Sequence, residues 1–304
     1  MNNNENERKI LVTGATGTVG SEVVKQIVSK PAENSIRAAV HLKNKADRIR
    51  HFINKGVEIV ELDYMKPDTI TKALNNMDKL FLQTLPVPNV VDICSYIVKE
   101  AKKNDVNHIV KLSAMGADSQ SGVTILRLHG EEENIIKDSG IPYTFLRPPA
   151  FMQNFITQFG QTIKTQNAFY VPAGDAKMSF VDVRDIAMIA ANILMNSNGN
   201  ENKQYMNKAY EITGPEALTY SQVAEIISDE VGRKITYIDI AEDTAREGLK
   251  QIGMDDWSIN IMIELFSTIR GGYGSETTEA VEDITGRRPI SMTEFANDYA
   301  EVFR

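Results

Sequence analysis

A short apolar run, Ile10-Leu11-Val12, opens the patterned part of the chain and reads as a buried parallel strand. Three glycines follow, and then Val23, Val24, Ile27 and Val28 recur at helical spacing, which predicts a helix over Gly20–Lys30. The alternation continues. Further strands are predicted at Ile36–His41, Val57–Leu62, Leu80–Thr84, His108–Ser113 and Tyr143–Arg147. Helical patterns over Lys45–Lys55, Pro67–Asn75, Val90–Asn104 and Leu128–Ser139 fill the gaps. Strands alternating with helices imply an α/β fold, a doubly wound parallel sheet with right-handed crossovers. A ligand of such a sheet lies across the carboxyl ends of the strands. The segments there are Gly14–Gly20, His41–Lys45, Asp63–Tyr64, Thr84–Pro88, Ser113–Gly116 and Pro148–Asn154.

The glycines make the first of these segments the most telling. Gly14, Gly17 and Gly20 stand between strand and helix, the context a dinucleotide fingerprint requires. Gly14 permits the tight turn, Gly17 lets the backbone approach a pyrophosphate, and Gly20 allows close packing of helix on strand. The N–H groups of the helix's first turn then point at the phosphates. A fingerprint on the first strand makes the sheet a Rossmann sheet.

Composition narrows the classes. The 304 residues are 42% hydrophobic, enough for one large core or two modest ones. A net charge of −8 argues against direct nucleic-acid binding, which needs a basic face. No apolar stretch approaches the ~20 residues of a membrane span, and the polar opening segment lacks the apolar region of a signal peptide. A single cysteine, Cys94, excludes an internal disulfide and suits a reducing cytoplasm, the expected compartment. Within a predicted helix it reads as a buried structural thiol. The four histidines, at 41, 51, 108 and 129, show no metal-ligand spacing, so no metal is expected.

Several longer motifs carry a resemblance. They are Val-Thr-Gly-Ala-Thr-Gly at 12–17, Lys-Leu-Ser-Ala-Met-Gly-Ala at 111–117, and His129 through Asn154 with its Ser-Gly-Ile-Pro-Tyr-Thr-Phe-Leu-Arg-Pro core. Phe-Val-Asp-Val-Arg-Asp-Ile-Ala at 180–187, Tyr-Glu-Ile-Thr-Gly-Pro-Glu-Ala-Leu-Thr at 210–219 and Thr-Gly-Arg-Arg-Pro at 285–289 extend it. Together they resemble the NmrA-like group of atypical short-chain dehydrogenases/reductases over nearly the whole chain. The resemblance implies an NAD(P)-binding Rossmann domain over 8–155, with 176–214 returning to the sheet. A smaller C-terminal α+β substrate lobe, from 156–175 and 215–304, would close over the nicotinamide. It implies cofactor contacts from Gly14, Thr16, Gly17, Thr18, Val19, Gly20, His41, Lys43, Asp63, Tyr64, Thr84, Leu85, Pro148 and Phe151. Met115 would face the substrate, and Asn154 would face the substrate or hold a loop.

The cofactor's identity turns on the second strand's end. An NAD site places an acid about 20 residues past the glycines, to accept from the ribose 2′-hydroxyl. Here Ala38-Ala39-Val40-His41-Leu42-Lys43-Asn44-Lys45 offers none before Asp47. His41 falls where members of the group often carry an arginine for the 2′-phosphate, and Lys43 and Lys45 read either as positive charge for that phosphate or as ordinary solvated loop residues. NADP is therefore the expected cofactor, with NAD the alternative. Asp63 resembles a residue that receives the adenine amino group, and a turn cap is its other reading. Thr84 is similar to a residue packed along the cofactor's ribose.

The chemistry departs from the parent superfamily, whose Tyr-x-x-x-Lys pair is missing. By the resemblance His129 and Glu133 stand in its place, four apart and so on one helix face. Such a pair could transfer a proton, with Glu133 raising the histidine's pKa, or His129 could simply close a hydrogen bond. Ser113 resembles the superfamily's serine, a donor to a substrate carbonyl, and otherwise reads as a turn hydroxyl. Asp185 reads as a helix N-cap and Gly271–Gly274 as a flexible loop. Phe151, Met152, Phe155, Phe159, Met254, Trp257, Met262 and Phe266 serve as pocket lining or as second-lobe core. Two functions follow. One is an NADPH-dependent reductase passing hydride to a small apolar quinone, carbonyl or imine. The other is a non-catalytic dinucleotide sensor that docks on a protein partner.

Overall fold

The computed structural model describes residues 8–30, 34–41, 46–196 and 203–304. Its contacts divide the chain into two compact units. The first lies within Met1–Gln120, Leu128–Arg147 and Ile186–Tyr210, and the second is Ser121–Arg127, Pro148–Asp185 and Glu211–Arg304.

A seven-stranded sheet organises the first unit. Its strands are β1 (Arg8–Val12), β2 (Asn34–Val40), β3 (Val57–Glu61), β4 (Lys79–Leu82), β5 (His108–Leu112), β6 (Tyr143–Arg147) and β9 (Lys208–Glu211). They are ordered β3-β2-β1-β4-β5-β6-β9, and β1 to β6 pair in parallel. The strand order reverses between β1 and β4, which is where a doubly wound sheet opens a crevice for a ligand. Helices α1 (Thr18–Val28), α2 (Asp47–Arg50), α3 (Pro67–Leu74), α4 (Val90–Lys103), α5 (Thr124–Ser139) and α8 (Val183–Met195) join the strands. In α4, Val90, Ile93, Cys94, Ile97, Val98 and Ala101 form one buried stripe at helical spacing. Ile93, Cys94 and Ile97 share a core with Leu80, Leu82, Ile109 and Phe145 of the sheet. Each such aliphatic side chain contributes about 1.5–3 kcal/mol by leaving water. Burial also pushes the Cys94 thiol up to about 12, which suits the structural role read from sequence.

Strand ends shift by one or two residues, and three helices differ more from expectation. Helix α1 starts at Thr18 rather than Gly20, because Gly17 with its extended backbone is already the N-cap. The expected helix over Lys45–Lys55 is only α2 and a 3-10 turn at Ile53–Lys55, ended by Gly56 at φ 83°. Lys45 itself lies outside the described residues. Helix α5 starts at Thr124 rather than Leu128, and the Thr124 N–H donates to Glu264 Oε2 at 2.7 Å.

The second unit is built around aromatic side chains. It holds α6 (Asn154–Thr157), α7 (Gly160–Gln166), the parallel pair β7 (Ala168–Val171) and β11 (Thr236–Asp239), and the antiparallel pair β8 (Lys177–Met178) and β10 (Leu218–Thr219). Phe155 packs edge-on against Phe180 at 5.2 Å and Phe169 at 5.5 Å, in a core with Met152, Tyr220, Phe266 and Phe295. Phe159, Met254 and Met262 lie against that core. Of the residues read as pocket or core, these are core, and Trp257 lines a cavity of about 690 Å³. Residues 148–155, 176–185 and 211–214, expected with the sheet, pack here instead. The Met152 N–H donates to Val181 O, and a Cβ on Gly214 would lie 2.0 Å from Phe180 O, so these segments are locked to one another. Asp182, not Asp185, caps α8 by accepting the Arg184 N–H at 2.8 Å. Asp185 accepts from the Ile290 N–H, and burial raises it to about 6. The expected flexible Gly271–Gly274 loop is anchored as well: Gly274 O accepts from both the N–H and the hydroxyl of Ser179.

Candidate active site

The turn after β1 is shaped by backbone needs. Gly14 sits at φ 61°, a conformation that side chains disfavour. A Cβ on Gly20 would lie 2.2 Å from Gly14 O, so only glycine lets α1 press against the turn. Gly17 caps α1 without any side-chain bond. The N–H groups of Thr18, Val19 and Gly20 in the first turn have no partner inside the helix. Thr13 ties this turn to the end of β4. Its buried hydroxyl accepts the Gln83 N–H at 2.8 Å and lies 3.0 Å from Gln83 O.

A cavity of about 220 Å³ opens at this point, lined by Gly14, Thr16, Gly17, Ala39, His41, Leu62, Tyr64, Gln83 and Leu85. Six of these were singled out in the sequence. Ala39, Leu62 and Gln83 were not. Gln83 was legible only as the first polar residue after the apolar run Leu80-Phe81-Leu82. Its side chain lies over the turn, 3.3 Å from where a Gly14 Cβ would be, and its Oε1 is buried with no hydrogen-bond partner. The Tyr64 hydroxyl donates to Gln83 O at 2.7 Å, and burial pushes the phenol up to about 12. A glycine cradle, free first-turn N–H groups, apolar walls and an unsatisfied amide oxygen fit a dinucleotide's phosphates and adenosine.

The remaining cofactor positions separate. Asp63 follows the turn-cap reading: its Oδ1 accepts the Met65 N–H at 2.9 Å, which holds its carboxyl below the usual range, and Lys66 lies at 3.2 Å. His41 is exposed, with Nδ1 3.8 Å from Asp63 Oδ1. Lys43 lies outside the described residues. Pro148, Phe151 and Asn154 belong to the second unit, where Phe151 bridges to Val181 and Asn154 opens α6. Met115 is buried just beyond β5.

Along α5 the structure rearranges the expected chemistry. Glu133 does not pair with His129. It accepts from Arg147 through Nε at 2.8 Å and Nη2 at 2.5 Å, and from the Ser113 hydroxyl at 2.7 Å. Ser113's one hydroxyl proton is thereby committed, so it does not stand ready for a substrate carbonyl. The neighbour of His129 is Glu132, whose Oε2 lies 3.3 Å from Nδ1 and 3.0 Å from the ammonium of Lys111. Lys111, fully buried, also donates to Thr84 Oγ1 at 3.2 Å and Leu112 O at 3.0 Å. Burial is the largest influence on both acid–base groups. It lowers the pKa of His129, against the pull of Glu132, whereas for Glu132 it is outweighed by Lys111 and His129, which bring the carboxyl down to about 2. The expected raised histidine is thus a lowered one, because desolvation and Lys111 oppose the carboxylate. Lys111 and Glu132 were missed because charged side chains read from sequence as surface residues.

The chain matches the NmrA-like family over residues 6–301, and it belongs to that family. It is 35% identical over 294 residues to the NAD(P)H azoreductase of Xenophilus azovorans, covering 97% of this chain and 99% of that protein. It is 28% identical over 248 residues to quinone oxidoreductase 2 of Escherichia coli, covering 81% and 83%. The solved triphenylmethane reductase of Citrobacter sp., complexed with NADP(H), superposes with a TM-score of 0.80 at 24% identity, over 96% of this chain and 99% of that one. That likeness shows the fold. No helix among the described residues is long and apolar enough to cross a membrane.

Proposed function

We propose that this protein is an NADPH-dependent oxidoreductase that reduces a small apolar acceptor of the quinone, azo, imine or carbonyl class. The observation that carries the reading is the full-length 35% identity to an NAD(P)H azoreductase. The glycine-lined cavity at the sheet's switch point supports it independently. Gly14, Thr16 and Gly17, with the N–H groups of Thr18, Val19 and Gly20, would hold the pyrophosphate. Ala39, Leu62, Tyr64, Gln83 and Leu85 would enclose the adjoining adenosine, and His41 with Lys43 would meet the 2′-phosphate. When bound, reduced nicotinamide supplies the hydride.

The chain's own residues offer little acid catalysis. Ser113 donates to Glu133, Glu133 is held by Arg147, and burial lowers the pKa of His129 against the pull of Glu132. Quinones and iminium ions need little help from an acid, so the arrangement favours acceptors of that kind over simple ketones. The same engaged side chains favour the second reading, a dinucleotide sensor without turnover. NADPH and NADH oxidation with quinones, azo dyes, imines and aldehydes separates the two. Turnover of any acceptor supports the reductase. Tight NADPH binding without turnover of any of them supports the sensor. Alanine variants of Met115, Pro148, Phe151 and Asn154 in the same assay test the contacts that the family resemblance implies.

A further inference from the structure

Among the described residues, buried side-chain polar atoms without a hydrogen-bond partner are Gln83 Oε1, Glu132 Oε1, His129 Nδ1 and His108 Nδ1. Three of the four belong to one connected set. Gln83 lines the cavity, Thr84 follows it, Lys111 reaches Thr84 and Glu132, and Glu132 reaches His129. We infer that Glu132, clamped by Lys111, is a positioning residue that keeps the His129 ring proton on Nδ1 and presents Nε2 to the ligand as a lone-pair acceptor.

The geometry argues this in three steps. An ionised carboxylate only accepts hydrogen bonds, so a nitrogen facing it is favoured when it carries the proton. Glu132 Oε2 is 3.3 Å from Nδ1, within hydrogen-bond distance though not at a hydrogen-bond angle. Lys111 is what keeps that carboxylate charged in a buried place. Its three ammonium hydrogens are matched by Thr84 Oγ1, Leu112 O and Glu132 Oε2, so it has no better partner to move to. Finally, Nδ1 is the buried nitrogen of a ring that is 19% exposed, which leaves Nε2 as the nitrogen a ligand can reach. A neutral ring has one proton to place. With it on Nδ1, His129 at rest accepts from an O–H or N–H of the ligand and does not donate to a bare carbonyl. The inference rests on the reductase reading only for the identity of that ligand.

Nitrogen-15 NMR of the imidazoles in the full-length wild-type protein tests it, with His129 identified as the set missing from His129→Asn. Expected at pH 7 are a protonated-type Nδ1 and an unprotonated-type Nε2. A ring protonated at Nε2, or at both nitrogens, would overturn the proposal. The double variant Lys111→Met/Glu132→Leu removes both buried charges together, a neutral exchange that buried ion pairs often tolerate. In it the proton should move to Nε2 or divide between the nitrogens. An unchanged Nδ1–H form in the folded double variant would show that Glu132 is a structural residue only. The wild-type spectrum decides by itself if that variant does not fold. Turnover of the double variant should fall on the order of 10–100-fold, the usual effect of losing a residue that orients another, with the NADPH dissociation constant unchanged. A wild type that reduces no acceptor would defeat the reductase reading and leave the tautomer result standing.

Discussion

The two ends of the parallel sheet each bury a lysine beside a histidine from β5 or the helix behind it, fully buried at one end and partly exposed at the other, and they use them oppositely. At the amino end Lys79 and His108 are register neighbours, the first residues of their strands. Lys79 donates to the carbonyls of Leu194 and Asn196, both at 2.8 Å, and so closes the last turn of α8. His108 Nε2 lies 2.9 Å from Thr144 Oγ1, whose own proton goes to Tyr205 O at 2.8 Å. The threonine must therefore accept, which puts the His108 proton on Nε2. At the carboxyl end Lys111 meets a carboxylate, and the histidine beside that carboxylate is expected to carry its proton on Nδ1. The amino end spends its polar groups on backbone and a hydroxyl, with only His108 Nδ1 left unsatisfied. The carboxyl end stores a charge pair and leaves three polar atoms unsatisfied, on Gln83 of the cavity wall and on Glu132 and His129. Residue types alone do not separate a structural buried lysine from a functional one. Their partners do.

The largest test of this contrast removes one charge from each end. Lys111→Met leaves Glu132 buried and unpaired and should cost about 3–5 kcal/mol, the usual penalty for breaking a buried ion pair. Lys79→Met loses bonds to carbonyls only and should cost about 1–3 kcal/mol. Urea unfolding measures both, and equal losses would erase the distinction.

Acid sensitivity comes next. Burial, with Lys79 nearby, holds His108 down at about 4 against an ordinary 6.5. The unfolded chain then binds the extra proton more readily, so this stability is complete above pH 6.5 and is lost as pH falls through about 4. The loss should reach about 3 kcal/mol, and His108→Gln should flatten that limb of the Tm-against-pH curve. A curve of unchanged steepness would remove the amino end as its source. His129 is lowered too and contributes in the same direction, so its variant serves as the carboxyl-end control.

Gly17→Val sharpens the contrast from the ligand's side. It should weaken NADPH binding at least about a hundredfold while the protein stays folded, because the branched side chain fills the phosphate's approach. Its Cβ would sit 3.1 Å from Gly14 O, so a small local adjustment is expected. Unchanged affinity by calorimetry would move the cofactor elsewhere. The smallest effect is on specificity. An arginine forks onto a phosphate where an imidazole does not, so His41→Arg should raise the preference for NADPH over NADH about five- to tenfold. That gain should shrink at high salt, since His41 is exposed and its contacts are screened.

The order of strands and helices through Arg147 was legible in the chain itself. Apolar periodicity is a short-range property: Val90, Ile93, Cys94 and Ile97 announce the buried face of α4 without reference to anything distant. The glycine turn was legible for the same reason, since Gly14, Gly17 and Gly20 answer backbone demands within a single turn. Partner choice was not. His129 stands three residues from Glu132 and four from Glu133, and both spacings share its helix face. Which carboxylate it meets is decided by Lys111 arriving from β5 and Arg147 from β6, each claiming one glutamate. The boundary between the two units was hidden similarly, because Met152, Phe155 and Phe180 are apolar in any setting and only packing assigns them to the aromatic core. Local sequence encoded which residues are buried and in what element. Tertiary structure alone decided which charges neutralise one another, because that depends on distances between strands far apart in the chain.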